Sequence, residues 1–270
     1  MLISQKEIKK YLKDVPPVPE NVKKALEYLK NGDLKNAAIE AQNDLILKKR
    51  IEDVVNSAYY SLPNKVNDMV QLFAMLGMEK SKSLIFSYLV SLLEPKEWKI
   101  FNINFFDFQA IFMSEFEKYM KIEFDEKTYK KYADLGAIVP ASVCVCDSLL
   151  GEKKEKLELL ISSAPLEYGT IIKRMTGVSI FGIAAKIAEI WGLEKEKAEI
   201  LKNSECSNSC ENKISALIHL IFFMIVSKKQ FLDLNSLIEF NTECIDLIPK
   251  TYERIINDSL KFTKEFGISV

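Results

Sequence analysis

The chain has 270 residues, of which 48% are apolar and 28% charged, with a formal net charge of −1. That length and apolar content suffice for one large domain, or for one domain with a smaller appendage. Lysines alternate with glutamates instead of clustering, which argues against a large nucleic-acid surface, where a basic patch is expected.

Almost every segment has helical periodicity, and the few prolines and glycines fall at segment ends. The N-terminus "MLISQKEIKKYLKD" is charged and amphipathic and lacks the apolar centre of a secretory signal, so export is not expected. A short helix is predicted over 5–13. "VPPVPE" then makes an extended turn, and Pro19 opens a helix over 19–30 that ends near "NGD". "LKNAAIEAQND" is a short helix. "LILKKRIEDVVNSAYY" is a longer one, with Ile46, Ile51, Val54, Val55 and Ala58 on its apolar side, stopped by Pro63. Asn67 or Asp68 caps the next helix, which carries Met69, Phe73 and Leu76 on one face and ends at Gly77. A helix over 79–94 follows, with Leu84, Ile85, Tyr88, Leu89 and Leu92.

An aromatic-rich segment spans 101–123, and within "WKIFNINFFDFQAIF" the aromatic spacing is too dense for one helical stripe. It is either an internal anchor or an apolar groove for a partner. One helix over 126–149 contains "KYADLGAIVP", and the remaining helices fall at 152–162, 166–174, 179–192, 194–203, 211–228 and 235–264, the last interrupted at Pro249. The apolar run 214–226 is too short to span a membrane and reads as a core helix. The polar "NSECSNSCEN" reads as an exposed loop or internal boundary. No strand pattern stands out, because Pro140 argues against a central strand in "GAIVPASVCVC". The expected fold class is all-α.

Three stretches, taken together, resemble the HDOD family, the HD-related output domain of bacterial signalling proteins. They are "VPPVPENVKKALEYLKNGD", "RIEDVVNSAYYSLPNKVNDMVQLFAMLGMEKSKSLIFSYL" and "GIAAKIAEIWGL". The resemblance covers about 12–205, and is specific in the first hundred residues and looser over 95–175. It implies an HD-like multi-helix bundle over 12–205, preceded by an N-terminal helix within 1–11. A C-terminal helical extension, 206–270, then packs on the same core. The resemblance also implies a regulatory role more than a reaction.

HD hydrolases hold divalent metals with several histidines and aspartates on facing helices. In "KYADLG" Ala133 stands at the dyad's histidine position and only Asp134 remains. The other family histidines would fall near Gln109 and Ile180. The single histidine, His219, lies in "LIHLIFF", away from these motifs, and reads as a core side chain. One histidine cannot build the usual centre, so no catalytic residue and no cofactor are expected. Asp134 is a weak metal candidate, and otherwise a helical polar residue that is hydrogen-bonded or partly exposed.

The five cysteines are Cys144, Cys146, Cys206, Cys210 and Cys244. The pairs 144/146 and 206/210 could supply four zinc thiolates, but neither has the usual C-x2-C spacing. They read as reduced thiols, with Cys206 and Cys210 the oxidation-sensitive pair. "NSAYYSLPNK" reads either as a packed helix end or as a ligand or partner surface made by Asn56, Ser57, Tyr59, Tyr60, Asn64 and Lys65.

These readings combine into a cytoplasmic, bacterial, non-enzymatic signal-transduction module that acts by protein–protein or small-ligand binding, without nucleic acid or membrane. The alternative is a carboxylate-based, metal-dependent phosphohydrolase or phosphodiesterase in the former HD cleft.

Overall fold

Aspartates open several of the helices. The computed structural model describes residues 4–13, 15–56, 64–100, 105–163, 168–206, 210–226 and 242–266, and these are helices and turns with no strand among them. The chain divides into two compact units, one of Pro16–Leu93 and one of Met1–Val15 with Glu94–Val270.

The smaller unit contains α2 (Glu20–Lys30), α3 (Leu34–Ala41), α4 (Leu45–Val55) and α5 (Met69–Ser91), with α2, α3 and α4 packed on α5. Asp33, Asp44 and Asp68 accept hydrogen bonds from backbone N–H groups of the first turns of α3, α4 and α5. These caps satisfy donors that a helix start leaves open. Asp44 also accepts a bond from the Tyr88 hydroxyl at 2.7 Å, so the α4 cap is fastened to α5. Gly77 (φ 73°) interrupts α5, a left-handed conformation that glycine adopts without steric cost, and the predicted helix end falls there. On α4 the buried stripe is Leu47, Ile51 and Val55. Ile46 was expected inside but is 66% exposed, because the cap at Asp44 sets the register one residue later. The fully buried Leu47, four residues before Ile51, takes the inward position.

The larger unit contains α1 (Gln5–Lys13), α6 (Phe105–Glu123), α7 (Glu126–Tyr132), α8 (Leu135–Gly151), α9 (Lys154–Ser163), α10 (Tyr168–Thr176), α11 (Ile180–Ile190), α12 (Lys195–Asn203), α13 (Lys213–Val226), α14 (Thr242–Leu247) and α15 (Pro249–Phe266). Its centre is α8, apolar on all sides, with residues 135–147 buried. The α6, α11 and α12 helices pack on it, and α13 packs on α6 and α12. Glu126–Gly151 is long and apolar enough to cross a membrane, but 89% of its apolar window is buried inside the protein, the setting of a core helix. Of the aromatic segment, Trp98 is half-buried, Phe101 and the Phe106 side chain lie outside the described residues, and Phe105, Phe108, Phe112 and Phe116 form a buried stripe on α6. Those side chains face inward at helical spacing, which favours the internal anchor over a partner groove.

The single helix expected over 126–149 is two, separated by the turn residues Ala133 and Asp134. At the end of α11, Gly192 (φ 73°) lets the Leu193 N–H reach the Ala188 carbonyl at 2.9 Å. This is a Schellman turn, and it accounts for the Trp-Gly-Leu end of the third matching stretch.

Gly136 lies where α6 crosses α8. A Cβ there would meet Phe116 Cδ1 at 2.7 Å, Cγ at 3.1 Å and Cβ at 3.2 Å. Those atoms lie near the base of a buried ring and cannot swing aside. Gly136→Ala is therefore expected to destabilise the protein, since overpacking costs about 1–3 kcal/mol against about 1 kcal/mol of improved helix propensity. Denaturant unfolding measures this, and adding Phe116→Leu should recover part of the loss.

Candidate functional site

The stretch "KYAD" docks on the first turn of α12. Glu196 accepts a bond from Lys131 Nζ at 2.7 Å and from the Tyr132 hydroxyl at 2.5 Å. Those two donors hold the Glu196 carboxyl below the usual carboxylate range. One residue on, Lys197 Nζ lies 2.6 Å from Asp134 Oδ2, with only 4% and 2% of the two side chains exposed. Asp134 is thus hydrogen-bonded, one of the two expected settings, and is not partly exposed. It is one half of a buried ion pair at the α7–α8 turn.

The expected positions of the other family histidines are also internal. Gln109 on α6 and Ile180 at the start of α11 are 2% and 1% exposed. They offer an amide and a hydrocarbon where imidazoles would be needed.

Two further buried acids escaped the sequence reading. Asp147 on α8 accepts from the backbone N–H groups of Lys99 (2.9 Å) and Ile100 (2.8 Å). It pins the segment that, with Tyr11 and Ser148, lines a pocket of about 390 Å³. Glu123 at the end of α6 accepts from the Thr251 N–H at 2.7 Å and pairs with Lys213 Nζ at 2.9 Å. Each acid has its charge met where it stands, as burial requires. Among the described residues no three carboxylate, histidine or cysteine donors gather at Asp134.

The other sequence candidates are dispersed. The Asn56 side chain donates to the carbonyls of Glu52 (2.9 Å) and Val66 (2.8 Å) and accepts from the Val66 N–H (2.8 Å). It clamps the two ends of the segment after α4, as a short amide at a helix end can. Asn64 and Lys65 are exposed, while Ser57, Tyr59 and Tyr60 lie outside the described residues. His219 Nδ1 lies 2.9 Å from the Ser204 carbonyl, and the ring packs against Phe181. Burial lowers its pKa from the ordinary histidine value, partly countered by that carbonyl and Glu205.

The HDOD domain family model matches residues 15–205. The chain belongs to the HDOD family. An HDOD domain protein of Geobacter sulfurreducens has the same fold, at a TM-score of 0.66 and 15% identity, over 96% of this chain and 92% of that one. A protein of Shewanella amazonensis assigned provisionally as a phosphohydrolase matches at a TM-score of 0.64 and 14% identity, over 96% and 97%. A second protein of that organism, provisionally a metal-dependent phosphohydrolase, matches at 0.54 and 16%, over 93% and 96%. No curated protein matches the chain.

The HDOD residues here do not fit the divalent metal that an HD-type centre would hold. A cation on Asp134 Oδ2 would need a bond of about 2.0–2.6 Å. The Lys197 ammonium already lies 2.6 Å from that oxygen, inside the protein. Two cations at one enclosed carboxylate repel strongly, and the histidine ligands are missing.

The buried pair and His219 each give a measurable expectation. Asp134→Ala is expected to cost about 3–5 kcal/mol, because it strands a buried ammonium, whereas Asp134→Leu with Lys197→Met should equal or exceed wild-type stability. Urea unfolding of the single and double variants tests this, and a single-variant loss below about 1 kcal/mol would contradict a buried pair. For His219 the lowered folded pKa makes the unfolded chain the stronger proton binder, so stability falls as pH drops through the unfolded value of about 6.5. His219→Gln should remove that part of the pH dependence, so the gap between wild type and variant narrows on acidification in melting curves.

Proposed function

We propose that this HDOD protein is a non-catalytic regulatory module of bacterial signal transduction, working in the cytoplasm through a protein or small-ligand partner and not through nucleic acid or membrane. The observation that carries the reading is the Lys197 ammonium at 2.6 Å from the one acid left of the HD dyad. A side-chain cation there meets the charge that a metal would otherwise meet. It cannot activate a water, since it has no open coordination position. The dyad stretch is then a packing element, and function moves to exposed residues. Asn64 and Lys65 remain accessible next to the Asn56 clamp, and on α4 Leu45 is 78% exposed beside Ile46. Surface apolar side chains of this kind suit a partner more than they suit water.

Phosphomonoester and phosphodiester hydrolysis with Mg2+ and Mn2+, compared between wild type and Asp134→Asn, tests the proposal. No turnover beyond that of the variant is expected. Metal-dependent turnover that disappears in Asp134→Asn would overturn it in favour of a phosphohydrolase.

A further inference from the structure

The five cysteines are in two different settings. Cys144 and Cys146 lie inside α8, where burial pushes both thiols up. Thiols held protonated in this way are poor ligands and poor nucleophiles. The other three come from two segments: Cys206 and Cys210 from the connection between α12 and α13, and Cys244 from α14. Their sulfur atoms all lie within 4.8 Å of one another. The residues are buried, at 5%, 8% and 0% exposure, although the surrounding sequence is polar and reads as an open loop. Cys206 and Cys210 are joined as a disulfide, with their Cα atoms 4.6 Å apart. Cys206 also has φ 46°, a left-handed conformation uncommon for a residue with a side chain.

A disulfide needs two sulfurs, and the convergence of a third on the same buried point calls for another explanation. Three thiolates around one centre are a soft-metal ligand set, which selects Zn2+ or Cu+ over hard cations. Zinc–sulfur bonds of about 2.3 Å at tetrahedral angles put ligand sulfurs roughly 3.8 Å apart. The observed spread accommodates that. Charge points the same way: a disulfide with a thiol is neutral, whereas three thiolates without a cation would not be tolerated in a buried site.

We propose that, once the Cys206–Cys210 bond is reduced, Cys206, Cys210 and Cys244 bind one thiophilic cation, Zn2+ or Cu+, as thiolates. Reduction takes two electrons either from a dithiol, which supplies the two protons and becomes a disulfide, or from a phosphine, which becomes the phosphine oxide while a water molecule supplies the oxygen and the two protons. The incoming cation then displaces the protons of the three thiols. Zn2+ would require a fourth donor, whereas Cu+ is satisfied by three sulfurs. Bound, the ion ties α14 to the segment joining α12 and α13. Oxidation to the disulfide withdraws two ligands and abolishes the site, so metal and disulfide exclude each other.

The test uses the full chain, reduced with a phosphine and stripped by a chelator, then titrated with Zn2+, Co2+ as its spectroscopic stand-in, or Cu+. Uptake of one ion per chain is expected, with sulfur-to-metal charge-transfer absorption for Co2+ or thiolate luminescence for Cu+, which tells the two ions apart. Cys244→Ser should weaken binding by more than the roughly 10–100-fold that loss of a group hydrogen-bonded to a metal ligand costs. Cys144→Ala should leave it unchanged, and disulfide-bonded protein should take up none. If the cysteine variants fail to fold, bound metal should still protect Cys206, Cys210 and Cys244 of the wild type from alkylation, read residue by residue by mass spectrometry. The proposal is overturned if folded, reduced protein takes up neither ion, if Cys244→Ser binds as wild type does, or if those three thiols alkylate freely at saturating metal.

Discussion

The buried pair between Asp134 and Lys197 is the constraint on which the larger unit's arrangement turns. Taking two charges out of water costs several kcal/mol per ion, and their attraction repays this only in good geometry. Such a pair is weak evidence for extra stability. It is strong evidence for a particular arrangement, because any packing that separates the partners leaves a charge stranded. Here it fixes the α7–α8 turn against the start of α12. Lys131 and Tyr132 reinforce the docking from outside through Glu196. The Asp134 stretch is therefore a fastening between helices.

The same logic recurs at the other buried acids. Asp147 holds an irregular segment by two backbone N–H groups, and Glu123 joins α6 to α15 and α13. Each carboxylate is neutralised or hydrogen-bonded by protein groups in place. A protein that treats its internal acids in this way uses them as struts, and among the described residues no open ligand set gathers at Asp134. The soft donors are elsewhere, in the cysteine cluster, away from Asp134.

Much of this was legible in the sequence where the signal is local. Periodicity placed the helices, Asp68 was a candidate cap because a short carboxylate preceded an apolar run, and Gly77 marked a break that only a residue without Cβ makes cheaply. Orientation was less legible. Ile46 looked like part of an apolar face until the Asp44 cap fixed the register. In the sequence Lys197 is one of many lysines that alternate with glutamates. Its position was a usable signal, since it falls on the buried stripe of α12 with Ile200 and Leu201. A lysine at such a position needs a buried acid, and Asp134 is 63 residues away.

By itself the sequence determined that the chain is helical and related to the HDOD family, and that it cannot assemble a histidine-rich metal centre. Those conclusions rest on residue types, spacing and counts, which no folding can alter. Only the tertiary structure decided what Asp134 does, that Cys244 and not Cys144 or Cys146 joins Cys206 and Cys210, and that Phe105, Phe108, Phe112 and Phe116 face inward. These depend on contacts between residues far apart in the chain. A carboxylate or thiol is defined chemically by its neighbours, and its neighbours are set by packing.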